Sequence, residues 1–347
     1  MVDLSTFDPN IVSNPNNNIF GLPTSEDTAR LIIVPVPWEV TVSYGSGTAR
    51  APEAILKASL QVDLFDAEVP EGWKQGYFMR TIDRKLLMKS DYLRKEAELY
   101  IDYISKGDEV SANQFMSKTL RDVNEGGNFL NGWVYDQTKV LLEKGKLVGI
   151  LGGDHSVPLG FMKAIGEKNG DFGVLQIDAH CDLREAYETF NYSHASVMYN
   201  ALNELPQISK LVQVGVRDYG GDEWEYIKNS EYRVITYFDK EIKNRQFEGE
   251  TWKTIAEEIV SKLPQQVYIS FDIDGLDRKL CPHTGTPVPG GFEAEEVFYL
   301  FRKVIESGRK IIGFDLCEVG ISDSDWNSNV GARVLFKLCN LLLASNS

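Results

Sequence analysis

Three short apolar runs in this chain stop in the same way, in a knot of carboxylates and imidazoles. Phe172-Gly173-Val174-Leu175-Gln176-Ile177 reads as a buried strand bounded by Gly170 and Asp171, and it runs directly into Asp178-Ala179-His180-Cys181-Asp182. Leu147-Val148-Gly149-Ile150-Leu151 leads into Gly152-Gly153-Asp154-His155-Ser156. Val267-Tyr268-Ile269-Ser270-Phe271 leads into Asp272-Ile273-Asp274-Gly275-Leu276-Asp277. An unpaired buried charge costs several kcal/mol or shifts its pKa until it is neutral, so strand ends of this kind need a counter-charge.

A divalent cation supplies one. On an extended segment Asp272 and Asp274 share one face, and like charges held together raise each other's pKa unless a cation compensates. His155, Asp178, His180, Asp182, Asp272 and Asp274 offer nitrogen and oxygen and no sulfur. That donor set suits a pair of divalent first-row ions better than a structural zinc.

The rest of the pattern is a regular alternation. Leu31-Ile32-Ile33-Val34-Pro35 reads as the first core strand, with a glycine-rich turn at Ser43-Tyr44-Gly45-Ser46-Gly47-Thr48 and a helix from Ala51-Pro52-Glu53. That turn lacks the lysine and the spacing of a phosphate loop and reads as structural. Strands follow near 147–151, 172–177, 211–216, 233–237, 266–271 and 310–315, separated by helical patterns that include 134–143, 292–306 and 330–343. The alternation predicts an α/β fold with a mostly parallel sheet covered on both faces, whose strand ends carry His155, Asp178 and Asp272 to one edge. Residues 1–30 are expected to be an N-terminal arm, and 31–347 one catalytic domain interrupted at about 69–131 by an irregular, partly helical excursion.

Composition narrows the partners. With 36 basic and 51 acidic residues the net charge is -15, which disfavours nucleic acid and anionic membranes and is compatible with a cationic substrate. Cys181, Cys281, Cys317 and Cys339 have no paired short spacing and read as reduced. The start of the chain lacks the pattern of a secretory signal and no run is long enough for a membrane span, so a cytoplasmic enzyme is expected. Of four histidines, His155 and His180 lie in the cluster, His194 follows it closely and His283 sits in the loop after Asp274.

The three motifs closely resemble the signatures of the ureohydrolases, the arginase, agmatinase and formimidoylglutamase family. The resemblance implies a three-layer α/β/α arginase-like domain with two Mn2+ ions and a bridging hydroxide. On that pattern His155 and Asp182 bind one ion, His180 and Asp274 the other, and Asp178 and Asp272 bridge both. His194, in Tyr192-Ser193-His194-Ala195-Ser196, matches the family's proton-shuttling histidine. Glu318, in Phe314-Asp315-Leu316-Cys317-Glu318, matches its guanidinium-gripping carboxylate, and Gly285-Thr286-Pro287 its loop at the mouth of the site. Asp182, His194 and Glu318 thereby take catalytic roles, and Glu318, His194, Arg184 and Thr286 substrate-binding ones. A homotrimer or homohexamer is the implied assembly.

For the substrate, the run from Asp182 to Met198 looks more like agmatinases than arginases, and Val216-Arg217-Asp218-Tyr219-Gly220-Gly221 lacks an acidic residue with which arginases approach the amino group. Agmatine, cleaved to putrescine and urea, is the expectation. Arg184 allows two readings: paired with Glu185 or a neighbouring subunit it leaves agmatine standing, whereas pointing into the cleft it pairs with a substrate carboxylate and favours arginine, guanidinobutyrate or formimidoylglutamate. Ala51, Arg278 and His283 depart from the family pattern without removing a ligand. From other classes, a catalytically silent metal-binding protein would have lost a ligand, and a deacetylase-like site would hold one zinc.

Overall fold

Successive residues of a strand face opposite sides of a sheet, and in this chain both sides are apolar. In the computed structural model, which describes residues 4, 7–42 and 44–347, Leu31 and Ile33 face one buried cluster while Ile32 and Val34 face another. Leu175 and Ile177 oppose Phe172 and Val174 in the same way. Strands buried on both faces need helices on both faces.

In chain order the elements are β1 (Leu31–Val36), α1 (Ala51–Ser59), β2 (Tyr77–Met79), α2 (Arg84–Ser105), α3 (Gln114–Glu143), β3 (Leu147–Gly152), α4 (Leu159–Asn169), β4 (Phe172–Ile177), α5 (Val197–Glu204), β5 (Ile208–Val216), α6 (Gly221–Asn229), β6 (Val234–Phe238), α7 (Asp239–Phe247), α8 (Trp252–Ser261), β7 (Gln266–Asp272), α9 (Ala294–Glu306), β8 (Lys310–Cys317) and α10 (Trp326–Ala344). Among the described residues these strands form one sheet in the order β2-β1-β3-β8-β7-β4-β5-β6. Every neighbouring pair is parallel. Helices α1, α8, α9 and α10 pack into one cluster and α2 to α5 into the other, which gives the expected three layers.

Register positions the site. Leu151 pairs with Leu316, Asp272 with Cys317 and Ile177 with Phe271. The carboxyl ends of β3, β8, β7 and β4 therefore lie level, side by side in the middle of the sheet, where open α/β folds place their ligands.

Three features differ from the sequence expectation. The segment 69–131 is more regular than expected: α2 is capped by Asp83, whose carboxylate accepts from Lys85 and Leu86 N–H. Asn113 caps α3, which starts at Gln114 rather than Val134. The Gly126-Gly127 pair that suggested a break lies inside α3 because nothing larger fits: a Cβ on Gly126 would meet Leu93 at 2.3 Å and one on Gly127 would meet Tyr192 at 2.7 Å. Strand β2 is too short to show a pattern. The expected arm is anchored from Ile19, since Phe20 is fully buried with its ring against Tyr77 and Phe336 at 5.6 and 5.1 Å. Residues 1–3, 5 and 6 of that arm, and Ser43 of the glycine-rich turn, lie outside the described residues.

One ion-pair group ties the loop after α1 to α10. Lys337 Nζ lies 2.9 Å from Asp66 Oδ2 and 2.6 Å from Glu68 Oε2, and Asn340 also donates to Asp66. Burial alone would raise the Asp66 carboxyl, but hydrogen bonds from Lys337 and the Glu68 backbone hold it below its ordinary 3.8. Burial likewise opposes the charge on Lys337, and Glu68 and Asp66 override it to raise the ammonium above 10.5. The depressed acid contributes stability above its unfolded value, lost as pH falls through the folded one; the raised base contributes below its unfolded value, lost as pH rises through the folded one. Lys337→Met should therefore lower stability by about 1–3 kcal/mol between about pH 5 and 9, with a smaller difference in stronger acid. Urea unfolding of both chains across that range checks it.

Candidate active site

Each cluster residue is delivered by the end of a central strand or by the loop that follows it. After β3 the chain turns through Gly153 and Asp154, whose carboxylate accepts from Val40 N–H, Ser156 N–H and the Ser156 hydroxyl, and this fixes His155. His155 Nε2 lies 2.8 Å from Ser270 Oγ, which leaves Nδ1 facing the cluster. Asp178 follows β4 directly and accepts from Gln176 at 2.8 Å; Gln176 accepts in turn from Gln213, and Gln213 from Thr236. This buried amide chain runs from β6 to the centre of the sheet and orients the carboxylate from behind.

Asp272 and Asp274 share a face, but not by alternation on an extended segment. β7 ends at Asp272 and the chain enters a 3-10 turn over Ile273–Gly275, in which Asp272 Oδ1 accepts from Asp274 N–H at 2.8 Å. Asp274 Oδ1 accepts from Ala179 N–H at 3.0 Å. One oxygen of each carboxylate is thus tied to backbone and the other is left to face the cluster.

The free atoms converge in two groups. His155 Nδ1 lies 2.9 Å from Asp182 Oδ2, 3.0 Å from Asp178 Oδ2 and 3.4 Å from Asp272 Oδ2. His180 Nδ1 lies 3.1 Å from Asp274 Oδ2 and 3.5 Å from Asp178 Oδ1. Asp178 gives one oxygen to each group. His155 Nδ1, Asp182 Oδ2 and Asp274 Oδ2 are buried and hydrogen-bonded to no protein group. Buried polar atoms normally have partners, so these atoms fit a pair of cations seated among them.

The charges agree. Burial would depress His155 and His180, yet the close carboxylates of Asp178, Asp182 and Asp274 hold both imidazoles well above their ordinary value. Burial raises Asp182 to about 7, with the charge of Asp178 adding to it. Burial, then Asp274 and Asp178, push Asp272 well above the carboxylate range. Protons thus offset, in the bare protein, charge that bound cations would offset.

The cluster floors a cavity of about 480 Å³ that also receives His194, Glu318, Arg184 and Thr286. Glu318 Oε1 accepts from His155 N–H at 2.9 Å while Oε2 is free and buried. His194 N–H donates to Thr41 Oγ1 at 3.2 Å, its Nδ1 is 3.3 Å from the same oxygen, and its ring meets Tyr187 edge-on. Burial, then the charges of His180 and Arg94, lower its pKa to about 3 and keep it neutral. Arg184 turns to Glu223, at 3.8 Å, and not to Glu185. Arg278 lines the cavity wall, whereas His283 is exposed and turned to Asn327.

Sequence reasoning missed Tyr44, Tyr187, Tyr219 and Glu223 on the wall and Gln176, Gln213 and Ser270 behind the ligands. The last three had a signal, since each is a polar residue inside an otherwise apolar strand. The wall residues had none, because they come together from separate loops and from the start of α6.

Comparison with known proteins gives a consistent result. The profile of the arginase family matches residues 29–340. The chain is 30% identical over 297 residues to N(1)-aminopropylagmatine ureohydrolase of Thermus thermophilus, covering 85% of this chain and 84% of that protein. It is also 30% identical over 341 residues to the agmatinase of Neisseria meningitidis serogroup C, covering 96% and 95%. Among solved structures, the agmatine ureohydrolase of Thermoplasma volcanium shares the fold, with a TM-score of 0.69 at 21% identity over 92% of each chain.

Proposed function

The chain belongs to the arginase family and is an amidino hydrolase of guanidino compounds, and from that premise we propose that it converts agmatine to putrescine and urea with two Mn2+ ions held at the strand tips. The observation that carries the reading is the convergence of His155 Nδ1, Asp182 Oδ2 and Asp274 Oδ2, buried and hydrogen-bonded to no protein group, on the floor of a cavity that also holds the free oxygen of Glu318. His155, Asp178, Asp182 and Asp272 would hold one ion, and His180, Asp178, Asp272 and Asp274 the other. When bound, such ions lower the pKa of water between them and so supply hydroxide at neutral pH.

The chain's own groups do the rest. Glu318 Oε2 accepts from the guanidinium N–H groups and fixes the carbon above the cluster, while Oε1 stays on the His155 backbone. The leaving amine must gain a proton as its bond to carbon breaks, and His194, neutral and tethered at Thr41, is placed to hand it over. With its low proton affinity it relays a proton and does not store one.

Agmatine is favoured because Glu223 sits against the Arg184 guanidinium, which leaves less positive charge to receive a substrate carboxylate, and Asp218 adds a negative wall. A relative that acts as agmatinase aligns over 96% of the chain. A longer substrate, N(1)-aminopropylagmatine, is the second reading: the cavity of about 480 Å³ leaves room beyond a four-carbon tail, and relatives of that name match as well. The proposal includes a cytoplasmic homotrimer or homohexamer; no helix among the described residues is long and apolar enough to cross a membrane.

Urea release from agmatine, arginine, guanidinobutyrate and N(1)-aminopropylagmatine, measured side by side, tests the assignment. Agmatine should give the highest kcat/KM. A higher value for either carboxylate substrate would overturn it, and a higher value for the aminopropyl compound would transfer it to the second reading.

A further inference from the structure

Asp182 is the one proposed ligand whose backbone is strained. Its φ is +54°, in the left-handed region that L-residues other than glycine rarely adopt. The peptide plane that follows it is gripped at both ends. Its carbonyl accepts from Met198 and Tyr199 N–H at the start of α5, each at 3.1 Å. Its N–H, that of Leu183, donates to Glu223 Oε1 at 3.1 Å. Leu183 is 3% exposed, so water cannot replace that acceptor.

Glu223 is itself fixed. It is 4% exposed, and its second oxygen accepts from Gly220 N–H at 2.7 Å and faces Arg184. We infer that Glu223 is a positioning residue: it locks the plane after Asp182 so that the left-handed turn persists and Oδ2 stays aimed at His155 Nδ1. Released from Glu223, the plane can rotate, Asp182 relaxes to an ordinary conformation and its oxygen leaves the cluster. The inference rests on the proposed role of Asp182 as a ligand.

The test compares the wild-type chain, Glu223→Ala, Glu223→Gln and Asp182→Ala by manganese content over a titration of free Mn2+, by the melting point of ion-free protein and by the split of kcat and KM for agmatine. Two ions are expected in the wild type and one in Asp182→Ala. Glu223→Ala should weaken one of the two sites by about 10–100-fold, and lower kcat more than it changes KM. Glu223→Gln should hold both ions within a few-fold of wild type, because its carbonyl still meets Leu183 N–H while water serves the more open Gly220. It also keeps the question answerable if the alanine chain melts early. Two ions at wild-type affinity in Glu223→Ala, or equal loss in the glutamine chain, would overturn the inference while leaving the proposed function standing. A wild-type chain without two ions, or an Asp182→Ala chain that keeps both, would overturn the proposed function itself.

Discussion

Asp272→Asn should leave a folded chain that releases urea at least about a thousand-fold more slowly than wild type and cannot hold both ions. The substitution is nearly isosteric. An asparagine Oδ1 accepts the Asp274 N–H that Asp272 Oδ1 now accepts at 2.8 Å, and its amide nitrogen takes the place of Oδ2, 3.4 Å from His155 Nδ1. The bare protein therefore loses little, and it sheds a carboxyl that burial and two neighbouring aspartates disfavour as an anion. What it loses is an anionic oxygen facing the cluster, which the proposed function assigns to both ions. Melting curves with and without manganese separate the two effects: the ion-free melting points should agree closely, and the upward shift on adding manganese should shrink in the variant. An unchanged shift and unchanged rate would contradict the account.

The second large effect is on folding. Gly153→Ala should cost about 3 kcal/mol or more, because a Cβ there would lie 1.8 Å from the Trp38 carbonyl oxygen. The backbone cannot slide away, since Gly153 N–H donates to Val36 O at 3.0 Å and its carbonyl accepts from Glu318 N–H at 2.8 Å. This one residue joins the end of β1 to the Glu318 turn, and His155 stands two positions beyond it. Gly132→Ala is the contrast: nothing lies within 4 Å of its Cβ inside α3, and it should stabilise by about 0.5–1 kcal/mol. Equal effects of the two in urea unfolding would show that the packing around Gly153 is not as tight as the geometry requires.

The parts of this molecule legible in the sequence were those set by short-range pattern. Apolar strands of five or six residues that end in charged groups announce both a parallel sheet and its functional edge, because only a site tolerates such groups at those positions. The candidate ligands from His155 to Asp274 came from that single observation. The long helices over 84–143 were obscured because α3 keeps glycines where Leu93 and Tyr192 press against it, which imitates a break. The partner of Arg184 could not be read either, since Glu223 reaches it from the start of α6, 39 residues on, and local spacing speaks only for Glu185.

The central claim is that side chains from separate strand tips enclose two cations. Anomalous diffraction from crystals grown with manganese tests it most directly. The account predicts two peaks, one against His155 Nδ1 and one against His180 Nδ1, with Asp178 contributing an oxygen to each. A single peak, or ions bound away from these residues, would contradict it.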